Sequence, residues 1–493
     1  MKYRIYPPIG FARVGNSNEF FIASESLGSP GLELRADGTE SPVTEYKDSS
    51  KNTKRQAARF RIFAFNDDGS PGTPFALPSS ARIEWTVRMV NKKDAVVRTG
   101  TPPAPPAPGV RFRPTTESGM ENRIIDSGAR TIVGLGAAPV PLVGNYRGTE
   151  VTLGELRTDS AGRLIVLGGA GVSRLLPGAP PSSGNFFTNR GWFDDVGDGS
   201  VTARIVFADN SEVAPEPAWV VSCPPDFAPA VRGVVTLLDL MRDVAYTSGW
   251  LQLPAKPSFE ADIKPILERA NALQWVNDLA DWPAVPTKGD ALEKPFADAA
   301  SVAARAAAER AILDVEMKAD GSTGLLSHTD TPYTKFVITE WQKKCLAKWV
   351  AGEFLPGTPA APAASDELTR ATLEATVGQT LYPGIEVGVI ARDASIYSTP
   401  FDFRLSHSQI QPGDMTALMA LPWQADFWAC DSNWWPSQRP NDVNLVDGQR
   451  DSWMRADPSD LEDFVQKVMK LGVVQEAVDA TGERTMREAG SAF

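Results

Sequence analysis

The sequence predicts an α+β protein with a β-rich N-terminal half, a helical middle and a mixed C-terminal segment. Three observations carry this reading. Over the first 220 residues, several stretches alternate polar and apolar side chains, the period of a half-buried strand. Between residues 231 and 352, apolar residues recur at helical spacing in runs with few breakers. After a Pro- and Ala-rich stretch that starts at Leu355, the two patterns mix. The expected organisation is a β-rich region over 1–224, a helical region over 225–355 and a C-terminal region over 366–493, as separate units or one interwoven domain.

Taken in order, Arg59-Phe-Arg-Ile-Phe-Ala-Phe reads as a strand, closed by the turn-forming Asn66-Asp-Asp-Gly. Ala81-Arg-Ile-Glu-Trp-Thr-Val-Arg-Met-Val repeats the period of two. Leu164-Ile-Val-Leu and Ala203-Arg-Ile-Val-Phe are further strands. Two Pro-rich breaks, from Thr101 and from Pro177, read as exposed loops. Helices are expected within 231–247, 258–280, 287–316 and 332–352. In the last, Ile338, Trp341, Cys345 and Trp349 form one apolar stripe, so Cys345 reads as a small core residue. The terminal segment is expected to end in a helix capped by Asp457, opened by Pro458 and stopped by Gly472, with Leu461, Phe464, Val465, Val468 and Leu471 buried.

The chain has 493 residues and a net charge of −12. That balance argues against a nucleic-acid partner, whose phosphates want a basic face. No apolar run approaches the length of a membrane span. The start, MKYRIYPPIG, lacks the apolar core of a signal peptide. Three Cys exclude a disulfide framework, and two His, His328 and His407, leave little room for a His-rich metal site.

Two motifs invite a functional reading that weakens on inspection. Gly168-Gly-Ala-Gly-Val-Ser follows a strand but lacks the third Gly of a dinucleotide loop, and Pro177-Gly comes too soon for the helix that loop needs. Trp192-Phe-Asp-Asp-Val-Gly-Asp-Gly gathers carboxylates at a spacing foreign to calcium loops, and Asp198-Gly199 reads as a hairpin turn. Cys223, before Pro224-Pro225, reads as a buried strand end.

The informative stretch is Pro422-Trp-Gln-Ala-Asp-Phe-Trp-Ala-Cys-Asp-Ser-Asn-Trp-Trp-Pro-Ser-Gln-Arg-Pro. Of the 13 Trp in the chain, Trp423, Trp428, Trp434, Trp435 and Trp453 lie in this neighbourhood. Indoles alone could build a core or a binding platform. A core seldom needs a Cys and an Asp threaded between them. Asp426 and Cys430 are four apart, which puts them on one face if the segment is helical. A carboxylate raises the pKa of a neighbouring thiol unless it acts as a base. Carboxylate, thiol and indole together are the parts of an oxidative Cys–Trp thioether cross-link.

On these residues the sequence resembles the cysteine-tryptophylquinone (CTQ) amino-acid oxidases, the family of L-lysine 6-oxidase and glycine oxidase. The likeness starts at Ile5-Tyr-Pro-Pro-Ile-Gly-Phe-Ala-Arg-Val-Gly-Asn-Ser. It runs through Lys54-Arg-Gln-Ala-Ala-Arg-Phe-Arg-Ile-Phe, Gly191-Trp-Phe-Asp-Asp-Val-Gly-Asp-Gly and Pro224-Pro-Asp-Phe-Ala-Pro. It returns at Tyr382-Pro-Gly-Ile-Glu, at Pro412-Gly-Asp-Met-Thr and at the Pro422 block.

The resemblance implies a quinoprotein oxidase of primary amines or amino acids. Its cofactor would be a cysteine tryptophylquinone built from Cys430 and Trp453, with Asp426 assisting its formation. Trp434 and Trp435 read as structural. The implied reaction runs through a Schiff base and consumes O2, releasing ammonia and H2O2. A flavoprotein maturation partner is implied, with maturation in the cytoplasm and export without a signal left open. A homo-oligomer is expected. Two departures bear on substrate. The chain is shorter than well-known members, and Thr376 stands where a Cys is expected in lysine-type members. The alternatives are a dehydrogenase with the same cofactor, passing electrons to a carrier protein, and an inactive homologue in which the Trp cluster is a core or platform.

Overall fold

Nine strands form the spine of the main sheet: β1 Ile9–Arg13, β2 Arg55–Phe65, β3 Arg82–Asn91, β4 Arg130–Val133, β5 Val140–Tyr146, β6 Thr149–Thr158, β7 Leu164–Gly168, β8 Gly197–Val206 and β9 Ala218–Cys223. Their spatial order is β4-β3-β8-β9-β1-β2-β7-β6-β5, with shorter strands added beside it. Neighbours are antiparallel except β9 and β1, which pair in parallel from Trp219 beside Ile9 to Cys223 beside Arg13. This computed structural model describes residues 1–35, 37–68, 70–95, 121–179, 189, 191–277, 284–319, 338–379, 384–430, 437–445, 448–455, 457–478, 482 and 484–493.

The period-two pattern does what it predicts. In β3, Ile83, Trp85, Val87 and Met89 point inward and are buried. One apolar cluster takes side chains from all nine strands, so the sheet curls around a shared interior. The other face is covered too. Ile9, Phe11, Trp219, Val221 and Cys223 pack against helix α1, Leu237–Thr247, and against the chain around Val387–Leu418.

Among the described residues the helices of seven residues or more that follow are α2 Lys264–Ala272, α3 Ala299–Ala319, α4 Glu340–Val350, α5 Ala364–Glu374, α6 Gln424–Cys430 and α7 Leu461–Lys467. Capping boxes start α1, through Thr236 and Asp239, and α4, through Thr339 and Gln342. The predicted stripe on α4 holds, with Ile338, Trp341, Cys345 and Trp349 all buried. They join a third cluster that also contains Phe227, Trp423, Phe427, Trp453 and Phe464. Among the described residues no helix is long and apolar enough to cross a membrane.

Several expectations are corrected. Asp198 and Gly199 form no turn; they lie inside β8, paired with both β9 and β3. Glycine is needed there because a Cβ on Gly199 would sit 1.7 Å from the Arg88 carbonyl. The first helix begins at Leu237, not near 231, and the run from 258 opens as a π-helical turn at Phe259–Ile263 and ends by Trp275. The last helix is capped by Asp460 rather than Asp457. Asp457 adopts a positive φ of 43°, which no N-cap uses. A final hairpin follows that helix, β10 Val473–Val478 paired with β11 Arg484–Ala489. The Gly168 loop leads into a short strand, Ser173–Leu175. The Thr101 Pro-rich stretch, His328, Trp434, Trp435 and Tyr382 lie outside the described residues.

Candidate active site

The route to the site runs through the carboxylates of the Trp192 motif. Asp194 accepts the backbone N–H of Trp423 at 2.8 Å and the Asn91 amide at 3.0 Å. It also forms an ion pair with Lys93, both side chains being wholly buried. Lys93 in turn donates to the Ala420 carbonyl at 2.9 Å, and Asn189 donates to Leu421 at 3.0 Å. Asp198 accepts from the Thr416 N–H and hydroxyl, from the Gly413 N–H and from the Trp219 indole. The carboxylate cluster is therefore a set of clasps. It fastens residues 413–423, the approach to α6, onto the sheet. Among the described residues no group of three or more His, Cys, Asp or Glu is placed to hold a metal. Burial pushes the Asp195 carboxyl up to about 7 and Asp198 up to about 6, the latter against its Thr416 hydrogen bonds.

Helix α6 carries the Asp426–Cys430 pair, so the two positions do share a helical face. Asp426 lies in the first turn, where a negative charge suits the helix dipole, and is buried. The Cys430 side chain lies outside the described residues. Phe427, three positions before it, is fully buried. Its ring meets Trp423 edge-on at 5.3 Å and Trp453 at 6.3 Å. Arg439, also buried, donates to the Phe427 carbonyl at 3.2 Å. Trp428 packs instead against Phe464 of α7.

Trp453 follows a short hairpin, Asp442–Asn444 with Arg450–Ser452, and its side chain is fully buried. Phe227 lies 4.7 Å from its ring. The indole N–H donates to the Gly472 carbonyl at 3.1 Å, and the backbone N–H donates to Asn441 at 3.0 Å. Gly472 in turn gives its N–H to Glu488 at 2.9 Å, and Glu488 pairs with Arg455. Two motifs distant in sequence, Pro224-Pro-Asp-Phe and the Pro422 block, thus meet at one indole. Glu488 and Arg455 had no role in the sequence reading; Gly472 entered it only as a helix stop and Phe227 only within the Pro224 motif. Only Phe227 carried a signal, an aromatic residue just after a buried strand.

The remaining candidates fall elsewhere. Thr376 is buried, with its hydroxyl donating to the Thr372 carbonyl. Arg13 reaches the neighbouring Ala375 carbonyl, the Pro224 carbonyl and the buried Glu386. Burial pushes the Cys345 thiol up to about 12 and Cys223 well above its ordinary value, so both are inert as nucleophiles. His407 packs on Trp219, and burial pushes it down to about 4.

Fold and sequence together define an oxidoreductase of the amine- and amino-acid-oxidising class. The family description "L-Lysine epsilon oxidase N-terminal" matches residues 6–222, and "L-lysine epsilon oxidase C-terminal domain" matches residues 322–453. Together they span more than two thirds of the chain, which belongs to the L-lysine epsilon-oxidase family. It is 27% identical to L-lysine 6-oxidase of Marinomonas mediterranea, over 87% of this chain and 71% of that protein. The crystal structure of the Schiff base intermediate of L-Lys epsilon-oxidase from the same organism, with L-Lys, superposes with a TM-score of 0.78. The identity is 22%, covering 99% of this chain and 95% of that one. A second crystal structure of that oxidase gives 0.76, at 22% identity, over 99% and 94%.

Proposed function

We propose that this chain oxidises primary amines or amino acids with a cysteine tryptophylquinone formed from Cys430 and Trp453. One observation carries the reading. The fully buried Trp453 ring packs on Phe427, one helical turn before Cys430, within a family of amino-acid oxidases. The surroundings suit a modified indole. Phe227 and Phe427 close on the ring, its N–H is satisfied, and a carboxylate stands one turn before the thiol position.

When formed, such a quinone supplies what no ordinary side chain has, a carbonyl reactive toward amines that can hand electrons to O2, with ammonia and H2O2 released. The chain's own residues hold and shield it. Phe227 and Phe427 keep water from the ring, and Gly472 fixes its rotation through the N–H. Asp426 is the proton acceptor for cross-linking, because thiol and indole must lose protons as the bond forms. The Marinomonas relative is named for L-lysine; Thr376 argues for a different substrate here, and the net charge of −12 favours cationic amines only through steering. A flavoprotein maturation partner, cytoplasmic maturation and a homo-oligomer belong to the same proposal.

The test is intact and peptide mass spectrometry of protein made with and without its maturation partner, followed by amine turnover under air. The expected product has lost the thioether hydrogens and gained two oxygens on the Trp453 peptide. Unmodified mass in co-expressed protein would leave an inactive homologue. Modified protein that reduces a dye but yields no H2O2 would be a dehydrogenase.

A further inference from the structure

Glu488 is a buried carboxylate that the proposed chemistry does not use. A buried charge is costly unless paired and hydrogen-bonded, so its position calls for an explanation. Its partners form a closed circuit. One oxygen accepts the Gly472 N–H at 2.9 Å, and the other pairs with Arg455. Gly472 presents its carbonyl to the Trp453 indole N–H at 3.1 Å. Arg455 stands two residues after Trp453, so the backbone completes the loop. The fit around Gly472 leaves no slack. A Cβ there would lie 2.4 Å from the Glu488 Cγ and 2.5 Å from a carboxylate oxygen.

We propose that Glu488 is a positioning residue for Trp453: with Arg455 it fixes Gly472 so that the Gly472 carbonyl holds the indole N–H. Held at its backbone side by Arg455 and at its ring nitrogen by Gly472, the indole has one orientation between Phe227 and Phe427. The hydrogen bond also pushes electron density from nitrogen into the ring, the direction that favours its oxygenation. That last consequence rests on Trp453 being the modified residue; the clamp itself does not.

The test uses the full chain made without its maturation partner, with its tryptophans labelled with 15N and the Trp453 indole resonance assigned through Trp453→Phe. Trp85 and Trp349 are internal controls. They too are buried and donate to carbonyls, Gly162 at 2.9 Å and Leu292 at 2.8 Å. Glu488→Ala should move the Trp453 indole proton upfield and speed its exchange about tenfold, the scale of one lost buried hydrogen bond, while the controls stay put. Glu488→Gln keeps an acceptor for Gly472 and should restore most of the shift. Arg455→Met should fall between the two, and gives the answer if the alanine variant does not fold. In matured protein, Glu488→Ala should shift the visible absorption maximum. An unmoved Trp453 resonance in folded Glu488→Ala overturns the proposal, as does equal movement of all three indoles. Oxygen found on another tryptophan would sink the cofactor assignment and leave the clamp measurement standing.

Discussion

At Asp426 a single atom change separates two roles. Asp426→Asn keeps volume and most hydrogen bonding but removes basicity. If Asp426 accepts a proton during cross-linking, the variant folds and its intact mass shows little or no thioether or added oxygen. Full maturation with slower turnover would move its role to the substrate, and survival of both would make it structural. Cys430→Ala should fold and remain colourless, and Trp453→Phe likewise. Cys223→Ala and Cys345→Ala should keep the chromophore, since burial holds both thiols protonated. At this scale much was legible. Cys, Asp and five indoles in one neighbourhood stand out in any sequence. The residues that hold Trp453 did not, because Gly472 and Glu488 act through a backbone carbonyl and a fold-back that no local pattern announces.

Strands and helices show where local signals suffice and where they fail. Alternation identified β2 and β3, whose apolar residues share the sheet's interior, and the α4 stripe was readable because it faces the core, whereas β7 reads as an unbroken apolar run and is buried at every position. Asp198-Gly199 was misread because Asp-Gly is also the commonest hairpin signal. Here the glycine serves close strand approach and the aspartate ties a distant segment. Asp198→Ala would leave the Thr416 and Trp219 donors without their acceptor, while the Gly413 N–H keeps the Asp198 backbone carbonyl at 3.1 Å. At about 1–3 kcal/mol for each buried orphan, urea unfolding should show a loss of several kcal/mol, and cofactor content should fall as the approach to α6 loosens. The pH dependence has a definite sign. Asp195 and Asp198 keep their protons to higher pH folded than unfolded. Between about pH 4 and about pH 7 the folded state thus binds more protons, and stability falls as pH rises through that window. Asp195→Asn, which cannot ionise, should flatten that slope in urea midpoints taken across it. For α7, Pro458 drew attention to Asp457, whereas the real cap, Asp460, accepts the N–H of Asp463. Asp460→Ala should cost about 1 kcal/mol.

Across the molecule, two large apolar clusters among the described residues bind regions that composition separates. The sheet's outer face needs α1 and residues 387–418 to cover Phe11, Trp219 and Val221. Residues 1–224 expressed alone should therefore bind an apolar dye or aggregate rather than unfold cooperatively; a sharp, reversible melt would refute this. The order of regions was legible in the sequence, but their mutual covering was not, because each cluster draws on residues hundreds of positions apart.

The circuit through Glu488 also sets a schedule. A ribosome that has made Trp453 has yet to make the carboxylate that seats it, 35 residues later. Until then the indole can be sampled by its surroundings in any rotamer. An oxidising partner acting on a growing chain would meet a loose ring, and one acting after residue 488 has emerged and folded back would meet a fixed target. If Trp453 is the residue a partner oxygenates, the choice of ring positions would be a property of the finished fold, set by the timing of synthesis rather than by the partner's selectivity.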